Sequence, residues 1–126
     1  MLRHTFTATK CWFMRDKMGE RARLLHIRDA IAYIKEFTAG KEQSDFSTEH
    51  MMRFAVERQL EIIGEAANHL STETKDKVPQ IDWHNIRAFR NIAAHEYFGI
   101  SEALLYQIVT HDIPALETAI KLLIDI

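Results

Sequence analysis

Along most of this chain apolar residues recur every third or fourth position, a spacing that an α-helix gathers onto one face. Leu24, Ile27, Ile31 and Ile34 mark a first helix over residues 16–37, and Gly40 is a natural stop just beyond it. Met52, Val56, Leu60, Ile63, Ala67 and Leu70 form the core row of a second helix. A polar connection over 41–48 leads into that helix, with Asp45, Ser47 and Thr48 as candidate N-caps. Residues 71–79 read as a polar loop. The third helix starts with Asp82 as N-cap and runs to about Tyr97, with Gly99 beyond its end. The fourth starts at a Ser101 cap and continues through Leu105, Val109, Ile113, Leu116, Ile120 and Leu123. Pro114 interrupts it. Either the helix kinks there, or Asp112 caps a separate final helix with Pro114 in its first turn, where no backbone donor is missed.

Four Gly and two Pro leave little material for turns, so the expected fold is all-α, an up-and-down four-helix bundle. A length of 126 residues suits one domain with a real core, assigned to residues 16–126. Residues 1–15 lack clear periodicity and read as an N-terminal extension, with Met14 as a natural start before the polar run Arg15-Asp16-Lys17. Arg3 and Lys10 are not followed by a continuous apolar region, so this stretch is no signal peptide. Nowhere does the chain reach the roughly 18 consecutive apolar residues of a membrane span. Cys11 is the single cysteine, which excludes an internal disulfide and fits a reducing cytosol. The expected location is cytoplasmic, without a membrane partner. Gly64 lies inside the second helix beside Ala66 and Ala67; a mid-helix Gly costs about 1 kcal/mol relative to Ala, so it implies close approach of another backbone.

The formal net charge is -2, whereas proteins that grip long nucleic acids usually carry a basic excess. Any action on RNA therefore requires positive charge concentrated in a cleft or supplied by oligomerisation. The third helix offers suitable groups. At about 100° per residue, Trp83, Ile86, Phe89, Ala93 and Tyr97 form a core face, while His84, Arg87, Asn91 and His95 share the opposite one. Arg90 sits at the boundary, on the flank of Tyr97. The plain reading is a solvated polar stripe. Against it, exposed helix faces favour Lys and Glu, and His and Asn are poorer helix formers. Imidazole and guanidinium suit phosphodiester chemistry: a His moves protons near neutral pH, and an Arg holds phosphate oxygens as charge builds. On a regular helix Arg90 and His95 lie about 140° apart, and one His is not readily both acid and base in one step. A helix end or bend near His95, a reaching Arg90, or a second subunit would resolve the first difficulty; a symmetric dimer resolves both.

Arg90-Asn91 followed by His95 and Tyr97 resembles the Arg-x4-His-x-Tyr motif of HEPN-domain proteins, in the HepT-like toxin branch. Leu60-Glu61-Ile62-Ile63-Gly64-Glu65-Ala66-Ala67 is similar to the second signature of that branch, and the run from Trp83 to Asn91 resembles the lead into its motif. The resemblance extends over about residues 21–123. It implies a HEPN-like helical bundle that forms a homodimer, with two motifs facing each other across a cleft. It implies metal-independent cleavage of an RNA substrate without cofactors, with Arg90 and His95 catalytic and Asn91 supporting; Arg87, on the same polar face, is a second supporting candidate. It also implies a partner, a minimal nucleotidyltransferase antitoxin that transfers AMP from ATP onto Tyr97.

Other features carry less. His84 and His95 are separated by roughly 16 Å of helix, and no His-Glu-x-x-His pair occurs, so no metal site is expected. His26, His50, His69 and His111 read as isolated surface or boundary residues, and the Glu61–Glu65 pair as solvated or partnered with Arg58. No Gly-rich phosphate loop marks the chain as an ATP-using catalyst. Two rivals to the ribonuclease remain: a non-catalytic binding module that regulates a nucleotidyltransferase, and a structural dimer whose polar stripe is its interface.

Overall fold

The structure, a computed structural model, describes residues 2–92 and 101–125, with side chains from residue 19 onward. Every regular element among them is helical. Helix α1 spans Leu2–Thr38, so it begins well before the expected residue 16. It stops where anticipated: Lys41 N–H bonds to Thr38 O, and Gly40 takes a φ of 73° that a side chain would disfavour. The four expected helical segments are present, and their apolar rows meet in one core. Ile27, Ile34, Val56, Leu60, Ile63, Leu105, Leu116 and Ala67 are all fully shielded from solvent. Helix α3 (His50–Asn68) packs along α1, and the final helix α7 (Ile113–Asp125) covers another side of α1. No helix among the described residues is long and apolar enough to cross a membrane.

Two connections are more ordered than their polarity suggests. Residues 41–48 contain the short helix α2 (Asp45–Thr48), whose Phe46 is 1% exposed. Phe46 meets Tyr106 edge to face with ring centroids 5.8 Å apart, anchoring α2 against α6 (Glu102–Gln107). One buried aromatic thus overrides a polar run. None of the candidate caps serves α3, which starts after Glu49 without a side-chain cap; Asp45 instead accepts from the Glu42 N–H. The supposed loop over 71–79 contains α4 (Thr72–Asp76), capped by Ser71 Oγ accepting from Thr74 N–H. Glu20 of α1 then accepts from the Ser71 N–H at 2.6 Å and ties α4 to the bundle.

The third segment is shorter as an α-helix than expected. Asp82 caps α5 (Trp83–Ala88) by accepting from Asn85 N–H, but Phe89–Asn91 then tightens into a 3₁₀ turn. The reason lies in the buried side chains. Ile86, Phe89 and Ile92 recur every three residues, the period at which 3₁₀ side chains eclipse, and all three are buried. Of the other expected core positions, Trp83 is partly buried against the core, and Ala93 and Tyr97 lie outside the described residues; Ile92 was not among those expected.

In the fourth segment Ser101 caps α6 as anticipated, accepting from Leu104 N–H. Pro114 lies in the first turn of the final helix α7, as the second alternative expected, with Asp112 ending the element before it. A π-helical turn, Ile108–Asp112, precedes α7, and Ile113 N–H reaches back to Ile108 O. Widening the turn makes room for a proline ring where a regular helix would clash, and no donor is lost because proline has none.

Gly64 makes the closest packing contact. A Cβ built on it would collide with the backbone nitrogen of Arg90 and lie 3.0 Å from the Phe89 carbonyl carbon. The expectation of close backbone approach is met, and the backbone concerned is that of the 3₁₀ turn. Gly64→Ala should therefore destabilise the protein by about 2 kcal/mol through overpacking, despite the better helix propensity of Ala. Urea denaturation measures this; a variant as stable as the parent would show that the turn yields freely.

Burial alone would raise the Glu20 carboxyl pKa. The Ser71 backbone and side chain, Thr74 and the charge of Lys77 outweigh that and hold it below the ordinary value. A depressed folded pKa stabilises above the unfolded value and is lost as pH falls through the folded one. Glu20→Gln should thus lower stability at pH 7 by about 1 kcal/mol, and the difference should fade in a denaturation series carried below pH 4.5. A difference constant down to strong acid would assign the effect to packing.

Candidate functional site

The residues flanking the Gly64 contact open onto solvent, and there three elements enclose a cleft of about 570 Å³. Arg23 and His26, one turn apart, line it from α1. Arg58, Glu61, Ile62, Glu65 and Ala66 line it from α3, at the three- and four-residue spacing of a single stripe. Arg90 and Asn91 complete it from the 3₁₀ turn. The volume falls within the range of small-ligand sites, roughly 300–1,000 Å³.

The elements hold these groups for reasons visible in their buried sides. On α1, Leu24 and Ile27 face the core, which turns Arg23 and His26 to the flank. On α3, Leu60, Ile63 and Ala67 are buried, which leaves Glu61 and Glu65 on the cleft side. In the turn, Phe89 and Ile92 are buried at 3% and 7% exposure, so Arg90 and Asn91 between them point outward. The site is thus the outer edge of three elements whose inner edges form the core.

Its charges are unevenly matched. Arg58 Nη1 lies 3.3 Å from Glu61 Oε2, and Glu65 Oε1 lies 3.2 Å from His69 Nε2. Both cleft carboxylates therefore have partners close in the chain, Arg58 on α3 and His69 at its C-terminal end. Among the described residues Arg23 and Arg90 have no carboxylate or hydrogen-bond partner. Two unpaired guanidinium groups on one concave surface suit a ligand with several anionic oxygens, because each can form a forked, charge-assisted pair.

The site residues expected from sequence divide three ways. Arg90 and Asn91 come together in the cleft. Arg87 is exposed on α5 and does not line it; its influence falls on Lys75, whose ammonium pKa is lowered first by burial and then by the Arg87 charge. His84 is likewise exposed away from the cleft lining. His95 and Tyr97 lie outside the described residues. The 140° objection to an Arg90–His95 pair assumed an unbroken α-helix, and the helix departs from that geometry already at Phe89.

Arg23, His26, Arg58, Glu61 and Glu65 were not expected in the site. One clue was available: if Gly64 admits the backbone of the motif, then Glu61 and Glu65, three before and one after it, must border that backbone. Nothing comparable flags Arg23 or His26, whose position depends on how α1 lies beside α3. Among the described residues no three His, Cys, Asp or Glu side chains come together as a metal-ligand group.

Comparison with known proteins supplies the family. The profile of the family described as "Ribonuclease HepT-like" matches residues 27–123. A candidate RNase of Methanocaldococcus jannaschii is 35% identical over 107 residues, covering 85% of this chain and 98% of that protein. A probable ribonuclease HepT of Thermococcus cleftensis is 37% identical over 101 residues, covering 80% of this chain and 92% of its own length. A second M. jannaschii protein, named for both a gamma-glutamylcyclotransferase and an RNase, is 38% identical over 97 residues that make up 44% of it. No solved structure shows a significant match. The match runs from Ile27 in α1, just past Arg23 and His26, through the Gly64 contact and the Arg90 turn, to the end of the core row of α7, and it places this chain in the ribonuclease HepT-like family, among the HEPN-domain proteins.

Proposed function

We propose that this chain is an endoribonuclease and the toxin component of a toxin–antitoxin pair, cutting RNA without a metal ion. One observation supports this above others: Arg90 has its backbone locked against Gly64, while its guanidinium, unpaired among the described residues, lines a cleft large enough for a nucleotide. A fully charged donor carried on a fixed backbone and facing solvent suits stabilisation of a phosphorane, whose charge builds where the guanidinium can reach it.

In this reading the ribose 2′-oxygen attacks the adjacent phosphorus and its proton passes to an imidazole of His95. Arg90 binds the non-bridging oxygens as the pentacovalent transition state gains charge, with Asn91 as a polar support. The bond from phosphorus to the 5′-oxygen breaks, and that oxygen takes a proton from a second acid. The products are a 2′,3′-cyclic phosphate and a 5′-hydroxyl. A homodimer supplies the second imidazole by symmetry. Arg87, away from the cleft lining, assists at most at longer range. Regulation follows from the same family reading: a minimal nucleotidyltransferase antitoxin adds AMP to Tyr97 and blocks the site.

The test is incubation of the purified chain with total RNA in excess EDTA, beside Arg90→Ala and His95→Ala proteins shown to be folded. The wild type should cut, and each variant should lose about 100-fold or more in rate, with cyclic-phosphate ends on the fragments. Fragments with 5′-phosphate and 3′-hydroxyl ends would reject 2′-oxygen attack. Folded wild type, unmodified at Tyr97, that binds RNA but never cuts it would favour the binding-module reading. Co-expression with the nucleotidyltransferase should add AMP to the wild type and none to Tyr97→Phe, read by intact-protein mass.

A further inference from the structure

The HEPN motif leaves half of the cleft unexplained. Its opposite wall is α1, which contributes Arg23 and His26. Arg23 is partly buried, so it presents its charge in a setting less screened than open solvent. It has no carboxylate or hydrogen-bond partner among the described residues, whereas Arg28 on the same helix is paired with Asp29 at 3.0 Å. On the facing wall Glu61 is ion-paired with Arg58, and Glu65 Oε1 lies 3.2 Å from His69 Nε2. Among the described residues neither Arg23 nor Arg90 has a carboxylate paired with it.

We infer that Arg23 is a substrate-positioning residue that holds a backbone phosphate of single-stranded RNA next to the one held by Arg90. This deepens the ribonuclease reading and rests on RNA being the ligand. A polynucleotide suits the arrangement better than a lone anion, because Arg23 and Arg90 come from different elements and one cleft spans both. Arg23 belongs to no part of the motif. Its effect is on affinity and register rather than on bond breaking.

Each phosphate contact contributes about 0.7 to the slope of log affinity against log salt for a single strand. That signature is specific to charge and would not follow from a structural role. The measurement uses the full chain carrying His95→Ala, so that no cutting intervenes, and a fluorescein-labelled single-stranded RNA oligonucleotide of mixed sequence. Anisotropy titrations run over a salt series for the parent and for Arg23→Gln, Arg23→Lys and Arg28→Gln. Arg23→Gln should bind about fivefold more weakly at 0.1 M salt, with a slope shallower by about 0.7. Arg23→Lys should keep the parent slope, and Arg28→Gln should match the parent in both. In the cutting protein, Arg23→Gln should raise KM with kcat within about twofold.

An unchanged slope in Arg23→Gln, or an equal loss in Arg28→Gln, would overturn the assignment; the second result would mean that only total charge matters. Should Arg23→Gln not fold, Arg23→Glu and Arg23→Lys bracket the same question through opposite charges at one position. The outcome separates from that of the ribonuclease reading. Binding with an Arg23-dependent slope but no cutting would sink the enzyme and keep the phosphate site; cutting with an Arg23-independent slope would do the reverse.

Discussion

The absence of a side chain at Gly64 is the constraint on which the site depends. It lets the backbone of Phe89 and Arg90 lie directly against α3. Contact at that range fixes the Arg90 Cα more firmly than side-chain packing could, because backbone atoms have no rotamers through which to yield. It also sets what neighbours the arginine: Glu61 and Glu65 flank Gly64 on α3 and must border whatever touches it. The tight 3₁₀ turn supports the same placement. With Ile86, Phe89 and Ile92 buried at three-residue intervals, the turn is pinned from below by apolar side chains and from the side by Gly64. Arg90 and Asn91 are left no inward direction.

The electrostatics of the cleft follow from helix spacing. Arg58 and Glu61 are three apart on α3, and Glu65 and His69 four apart, so each carboxylate finds its partner close in the chain. Such exposed pairs add little to stability, typically under about 1 kcal/mol. Their effect here is on the field. Arg58 offsets the charge of Glu61, Glu65 is held by His69, and among the described residues the guanidinium groups of Arg23 and Arg90 have no carboxylate partner. A chain of net charge -2 can present a local site for anions in this way without a basic surface overall.

Much of the fold was legible because apolar periodicity reports directly which faces are buried. The rows read from Leu24 to Ile34, Met52 to Leu70 and Leu105 to Leu123 are largely the core, though Met52 and Val109 are only partly covered. What periodicity missed were cases where one residue outweighed its surroundings. Phe46 orders a polar connection by packing on Tyr106, and a π turn over Ile108–Asp112 leads into the helix whose first turn holds Pro114. The third segment was misread for a subtler reason. Ile86, Phe89 and Ile92 fit a period of 3.0 as well as 3.6 over so short a run, so the spacing that the 3₁₀ turn uses does not by itself set it apart from an α-helix in the sequence. Of the site, Arg90 and Asn91 were legible from the motif. Arg23 and His26 were not, since a sequence does not say which helix flank lies beside a given turn. His95 and Tyr97, on which the proposed chemistry and its regulation rest, lie outside the described residues.

Site and core in this fold occupy opposite edges of the same elements, and this has a consequence for how the two can vary. Leu24 and Ile27 are buried beside Arg23 and His26, and Leu60 and Ile63 beside Glu61 and Glu65. Replacing a cleft residue removes exposed charge, which costs the fold little; replacing its inward neighbour opens a cavity and costs several kcal/mol. Charge on the cleft wall is therefore free to change with the ligand, so long as the inner edges and Gly64 are kept. The one position where the two requirements cannot be separated is Arg90. Its side chain belongs to the cleft and its backbone to the packing against α3, so the residue type is set by chemistry while its place is set by the core.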